Sequence, residues 1–399
     1  MSCLRRAIVI LAVVACYVGD VAAAQVADGG QAGAVAQQPG RNSGASSLKE
    51  AFELLRQNKL EEAEKAFRAL IEANPKEIGA YAGLADCLTA RGRPVEAVEE
   101  YRKAVSLNPN SAELRHGLGR VLEAAGEVGE AVQEYQRAGG LAPRNPVHLL
   151  ALSGAYRRVE MYAESLAAAI RALGLDPTNA QTHLLLGAIH EGREEWEAAL
   201  SCYRAAERLM PGDLRVRTAI IGALNGSGRY SEAEALCRTL LAANPTATDL
   251  QIALAVALDG LGRHREAQGV YEELLKAQPN SAELWGNLGW SQYLSGDIPL
   301  AIISSRKALE LDGRLAYVHY NTALFLAVQG DGAGAMTAYG RAMDLGLRSD
   351  LRAALRDVQE AMRRYPPRPA LQDAANLLES RLRMPAEPRL RLPVSERGG

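Results

Sequence analysis

His183 and His190 are the residues to test first for metal or acid–base chemistry, being two imidazoles on one helical stretch. Seven residues of helix put them on a similar face but about 10 Å apart along the axis, too far to share one ion without further ligands. No matched cluster of Cys or His stands near them. Gly117-Leu118-Gly119 begins like a dinucleotide-binding fingerprint, but that turn must follow a strand, and the pattern around it is helical. The acidic pairs Glu61-Glu62 and Glu194-Glu195 fall at turn-to-helix junctions, where carboxylates offset the positive end of the helix. No phosphate loop, H-E-x-x-H or nucleophile elbow is present in the sequence. These residues therefore predict no catalytic group, no metal and no cofactor: the chain is expected not to be an enzyme.

Composition agrees. The chain has 399 residues, 48% hydrophobic and 23% charged, with a formal net charge of −2. That balance suits a soluble protein and gives no overall attraction to nucleic acid. Cys87, Cys202 and Cys237 form no C-x-x-C pair. They read as small apolar residues buried inside helices.

The elements that carry these residues repeat. Proline recurs at Pro75, Pro109, Pro143, Pro177, Pro211, Pro245 and Pro279, each step being 34 residues. With proline as position 32, units start at 44, 78, 112, 146, 180, 214, 248, 282 and 316. Position 20 is then Ala63, Ala97, Ala131, Ser165, Ala199, Ala233, Ala267, Ala301 and Ala335. A small side chain in every unit marks a close approach of two helices, where overpacking costs about 1–3 kcal/mol. Position 7 carries Leu84, Leu118, Leu152, Leu186, Ile220, Leu254 and Leu288. Position 24 carries Phe67, Tyr101, Tyr135, Tyr203, Tyr271 and Tyr339. Position 15 is Gly92, Gly126, Gly228, Gly262, Gly296 and Gly330, suited to the positive φ of a short interhelical turn. Apolar spacing inside each unit is helical. Each unit is thus a helical hairpin that must stack on its neighbours to bury its apolar face.

This pattern resembles the tetratricopeptide repeat (TPR) family, whose signature is Trp-x2-Leu-Gly-x2-Tyr, then Ala-x3-Phe, Ala and Pro. Repeat 8 carries Trp285, Leu288, Gly289, Ala301 and Ala308. The resemblance covers residues 44 to 349. Departures are Glu50 at position 7 of repeat 1, Thr322 at position 7 and Leu347 in place of proline in repeat 9, and Ala169, Cys237 and Ser305 at position 24. It implies an all-α fold: a right-handed superhelical solenoid of helix-turn-helix repeats, here with C-terminal capping helices.

The expected organisation is a signal peptide at 1–24, a flexible linker at 25–47, an array of about nine repeats at 48–349, capping helices at 350–383 and a disordered tail at 384–399. Arg5 and Arg6, the apolar run 7–19 and Ala22-Ala23-Ala24 form the export signal. Val13-Val14-Ala15-Cys16 offers a competing lipobox, in which Cys16 would be lipidated, the one expected route to a membrane. Either reading places the chain outside the cytoplasm, in the periplasm or cell envelope.

By resemblance, positions 2, 5, 9, 12 and 13 of the first helices face a concave groove that binds a partner protein or peptide. The middle repeats place Arg120, Glu123, Arg157, Glu191 and Asp259 there. Repeats 8 and 9 place Trp290, Tyr293, Tyr317 and Tyr320, with Asn287 and Asn321 at position 6 beside them. Aromatic rings and amides of this kind can clamp an extended peptide. The competing expectation is that the C-terminal cap buries these rings. If they are exposed, replacing Trp290 and Tyr320 by Ala weakens partner capture and leaves helicity and melting temperature nearly unchanged. Leu184 and Ala188, or Gly286 and Trp290, stand where a carboxylate clamp needs Lys and Asn, so chaperone C-termini are not expected ligands. The chain therefore reads as a protein-binding scaffold of the cell envelope. The other reading is a structural subunit of a secretion, pilus or polysaccharide-export assembly.

Overall fold

The computed structural model describes residues 47–384. The expected signal peptide with Cys16, the linker before Ser47 and the tail after Met384 lie outside the described residues. Among the described residues there are helices and no strand. The repeats run as helix pairs: α1 Leu48–Arg56 and α2 Leu60–Ala73, α3 Ile78–Ala90 and α4 Pro94–Leu107, α5 Ala112–Ala124 and α6 Val128–Leu141. They continue with α7 Pro146–Arg158 and α8 Tyr162–Leu175, α9 Ala180–Gly192 and α10 Trp196–Leu209, α11 Leu214–Ser227 and α12 Tyr230–Ala243. The last three pairs are α13 Thr248–Gly260 and α14 His264–Ala277, α15 Ala282–Ser295 and α16 Ile298–Leu311, α17 Ala316–Gln329 and α18 Gly332–Leu345. Two more helices follow, α19 Arg348–Arg364 and α20 Pro369–Arg383. The described chain packs as two units, 47–193 and 194–384, each a stack of helical hairpins.

Local chemistry sets the helix ends. Ser111, Asn145, Asn179, Asp213 and Ser281 stand one residue before their first helices and accept hydrogen bonds from backbone N–H groups of the first turn. Each such cap contributes about 1 kcal/mol. Ser47, expected as the last linker residue, caps α1 in a capping box with Glu50. The first repeat therefore does form its first helix, although Glu50 stands where its leucine should be.

Position 15 is left-handed in every repeat of the array. The six glycines there have φ between 73° and 100°, and Asn58, Glu160 and Glu194 adopt φ 57°, 61° and 62° in the repeats that lack glycine. All nine position-20 residues are fully buried. The large position-24 rings are buried too, and Ala169, Cys237 and Ser305 fill the same column with less volume.

Small residues let rings seat between helices. Any Cβ on Gly117 would strike the ring of Tyr101, and one on Gly119 would lie 2.6 Å from that of Tyr135. This is the physical use of the Gly117-Leu118-Gly119 run inside α5. A second series places Tyr162 against Gly192, Trp196 against Gly226 and Tyr230 against Gly260, with the aromatic residue opening one second helix and the glycine near the end of the next first helix.

The C-terminal pair departs from the repeat path. α20, not α19, packs on α18 in the place of a next hairpin. α19 lies against α17 and joins the core built from Val256, Trp290, Tyr293, Tyr320, Leu324, Ala327 and Val328. Leu351, Ala353, Ala354, Val358 and Ala361 form its buried face.

Candidate partner-binding face

In unit 47–193, second-helix phenols reach first-helix acids, and the next repeat supplies an arginine. Tyr101 donates from its hydroxyl to Asp86 at 2.9 Å, and Arg120 pairs with the same carboxylate. One repeat on, Tyr135 donates to Glu123 at 2.8 Å and Arg158 donates to Glu123 at 3.1 Å. The Asp86 carboxylate holds the Arg120 guanidinium firmly charged, while burial pushes the Tyr101 phenol up. Arg120 and Glu123, expected as free groove residues, are therefore partly committed to ties between repeats. Partly exposed pairs of this type contribute at most about 1 kcal/mol each, but they fix the polarity of the face.

His116 and His148 face one another under that strip, with Nδ1 atoms 3.2 Å apart. Burial, then the neighbouring His148 and Arg120, takes the His116 imidazole down to about 3. Burial lowers His148 as well. His183 contacts the Pro177 carbonyl at 3.3 Å. Among the described residues, no group of three or more His, Cys, Asp or Glu side chains could hold a metal.

The cysteines have the expected packing role. Cys87 and Cys237 are buried, Cys202 is partly so, and burial raises all three thiols, that of Cys237 to about 12.

In unit 194–384, the residues read as an aromatic clamp are placed differently from the expectation. Trp290, Tyr293 and Tyr320 are 2%, 4% and 1% exposed, and Asn287 and Asn321 are 3% and 1% exposed. All five are core side chains, and the three rings share one core with residues of α19 and α20, as the competing expectation of a covering cap had it. The rings do not form one group of four. Trp290 lies 5.3 Å from Tyr293, and Tyr293 stacks on Phe325 at 4.8 Å between centroids. Tyr320 instead faces Tyr339 at 6.3 Å. Tyr317 is half-buried, with its hydroxyl over Gly286, where a Cβ would lie 3.0 Å away. Phe325 was not singled out by sequence, since position 10 is not a groove position of the repeat.

Asp259, another expected groove residue, is also buried. It accepts from Ser291 at 2.8 Å and faces His264 Nδ1 at 3.0 Å, and its carboxyl is raised by burial. Buried polar atoms without a hydrogen-bond partner in this unit include Trp290 Nε1, Asn287 Oδ1, Asn321 Nδ2 and Tyr365 OH. A buried group left without a partner costs about 1–3 kcal/mol.

The end of α19 closes over Tyr293. The Arg364 guanidinium sits 5.9 Å from the Tyr293 ring centroid and donates to the Leu294 carbonyl at 2.9 Å. Tyr365 lies 6.4 Å from the same ring. Burial and then Tyr365 push the Tyr293 phenol up, and Arg364 opposes them. Midway along α19, Arg356 donates to Glu194 at 2.7 Å. The face expected to receive a partner is thus filled, over its last repeats, by a helix of the same chain.

No helix among the described residues is long and apolar enough to cross a membrane. No curated protein matches the chain in sequence. Two family models, both described as tetratricopeptide repeat, match it: one over residues 88–153 and 224–289, the other over 48–112, 150–213 and 189–248. Among solved structures, a tetratricopeptide repeat protein from Parabacteroides merdae is similar at 17% identity and TM-score 0.56, covering 66% of this chain and 99% of that one. PilW, described as a type IV pilus biogenesis factor, is similar at 17% identity and TM-score 0.49, covering 52% and 96%. YrrB, described as having an unusual peptide-binding site, is similar at 22% identity and TM-score 0.37, covering 42% and 87%. The register of small residues, rings and left-handed turns agrees with the two family models: the chain belongs to the tetratricopeptide repeat family, an all-α solenoid of helical repeats.

Proposed function

We propose that this chain is a non-catalytic scaffold of the cell envelope that holds a partner protein or peptide against the face formed by its first helices. The observation that carries this reading is the seating of α19 on that face: the first helices of repeats 7 to 9 accept an amphipathic helix. Helix-in-groove docking uses the same apolar contacts between partners as within a chain. The envelope location rests on Arg5, Arg6, the apolar run 7–19 and the small residues Ala22-Ala23-Ala24.

Two measurements test it. Affinity capture from an envelope fraction, with the full chain and with Leu294→Glu at the rim of the covered face, is expected to lose its partner in the variant. The same partners in both would place the interface elsewhere and favour the assembly-subunit reading. Fractionation and intact mass of the mature chain should give an exported product starting at Gln25, or one lipidated at Cys16. A cytoplasmic, unprocessed product would contradict the location.

A further inference from the structure

We propose that α19 is an internal ligand, occupying in cis the site at which repeats 7 to 9 take an amphipathic helix of a partner with α19's own pattern. The proposal rests on the scaffold reading above and names both its partner class and its regulation. Three observations carry it.

The first is position. α20 packs on α17 and α18 where a further hairpin would stack, while α19 packs on α17 and on α20, so closing the end of the array falls mainly to α20. α19 is set aside from that path and lies on the first-helix side, in one core with Val256, Trp290, Tyr293 and Val328.

The second is attachment. Gly346-Leu347 precedes α19 and Tyr365-Pro366-Pro367-Arg368 follows it, so both ends are short non-helical joints. Its polar anchors include Arg356 to Glu194, Arg364 to the Leu294 carbonyl, and Arg348 to the carbonyls of Leu382 and Met384. The Arg356–Glu194 pair is partly solvent-exposed on both sides.

The third is fit. α19 shares one core with Trp290, whose buried indole Nε1 has no hydrogen-bond partner. The indole N–H is a donor that an acceptor on another helix could take.

The partner helix is defined by what α19 presents: small or medium apolar residues in the spacing of Leu351, Ala354, Val358 and Ala361, with arginines on the flank. In the resting chain α19 fills the site. A partner helix with more apolar contact, or with acceptors for Trp290, displaces it while α20 keeps the array closed.

The test uses a fluorescent synthetic peptide of residues 348–364 as probe. It is titrated with the unaltered full chain and with a full-length variant carrying Ala354→Glu and Val358→Glu, which loosens α19 from its seat. An internal competitor lowers apparent affinity by the fraction of open chain, so the variant should bind at least about 10-fold tighter. A peptide carrying the same two changes should not bind. A variant that retains array helicity but binds the peptide no better overturns the proposal, whatever the outcome of partner capture.

If the variant unfolds, hydrogen exchange on the unaltered chain decides. α19 amides should exchange faster than those of α17 and α20, and equal protection overturns the proposal. A concentration-dependent dimer of the unaltered chain, exchanging α19 between copies, also overturns it.

Discussion

Arg356 and Glu194, 162 residues apart in sequence, meet at 2.7 Å. The contact ties the middle of α19 to the left-handed turn that precedes α10. Both side chains are more than a third exposed, so the pair contributes below about 1 kcal/mol. Arg356→Ala should raise hydrogen exchange in α19 and change the melting temperature by no more than about 2–4 °C. Unchanged exchange in α19 would show that its apolar face and its other anchors, Arg348 and Arg364, hold it without this pair.

Trp290→Ala should now be strongly destabilising. The indole is 2% exposed and packs with Tyr293 and Phe325, and loss of a buried Trp costs about 3–5 kcal/mol. Denaturant unfolding followed by circular dichroism measures it. A change below about 1 kcal/mol would mean that the cap does not hold the ring. Of the two expectations from sequence, an exposed clamp or rings buried by the C-terminal cap, the buried ring agrees with the second.

Two alanine substitutions at helical glycines should act with opposite sign. Gly117→Ala drives a Cβ into the Tyr101 ring and should cost about 1–3 kcal/mol. Gly139→Ala, inside α6 with no atom within 4 Å of its Cβ, should stabilise by about 0.5–1 kcal/mol. Thermal unfolding of both variants reads the difference, and a shift of the same sign in each would contradict the ring seat.

Acid should loosen unit 47–193 earlier than its carboxylates alone would. His116 is held neutral down to about 3 when folded, against 6.5 in an unfolded chain. Between those values the unfolded state binds the extra proton, so stability falls as pH falls. The loss starts near pH 6.5 at about 1.4 kcal/mol per pH unit for this imidazole and ends near pH 3. The groups facing the ring are His148, Arg120 and the Tyr135 ring. His116→Gln should flatten melting temperature against pH between 6.5 and 5. An unchanged slope would assign the acid sensitivity elsewhere.

Much of the fold was legible because its constraints recur in one register. Pro, Gly and Ala columns 34 residues apart locate every turn and close approach, and the helices begin where those columns predict. The pairs Tyr162–Gly192, Trp196–Gly226 and Tyr230–Gly260 share one spacing and could have been found in the same way. The candidate site was less legible. Helical spacing shows that Leu351, Ala354 and Val358 share a face, but it cannot say which surface that face meets. Trp290 and Tyr293 stand at groove positions of the repeat, and in the structure they share one core with Phe325 and the apolar face of α19. Glu194 offers no local signal of its distant partner Arg356.

Photo-crosslinking in an envelope extract tests the central claim most directly. The photoreactive residue is placed in turn at Leu261 and Leu294, which close the first helices of repeats 7 and 8, and at the exposed Ile303 on second helix α16. The account predicts one common partner adduct from Leu261 and Leu294 and none from Ile303. Adducts from Ile303 alone would contradict binding on the first-helix face.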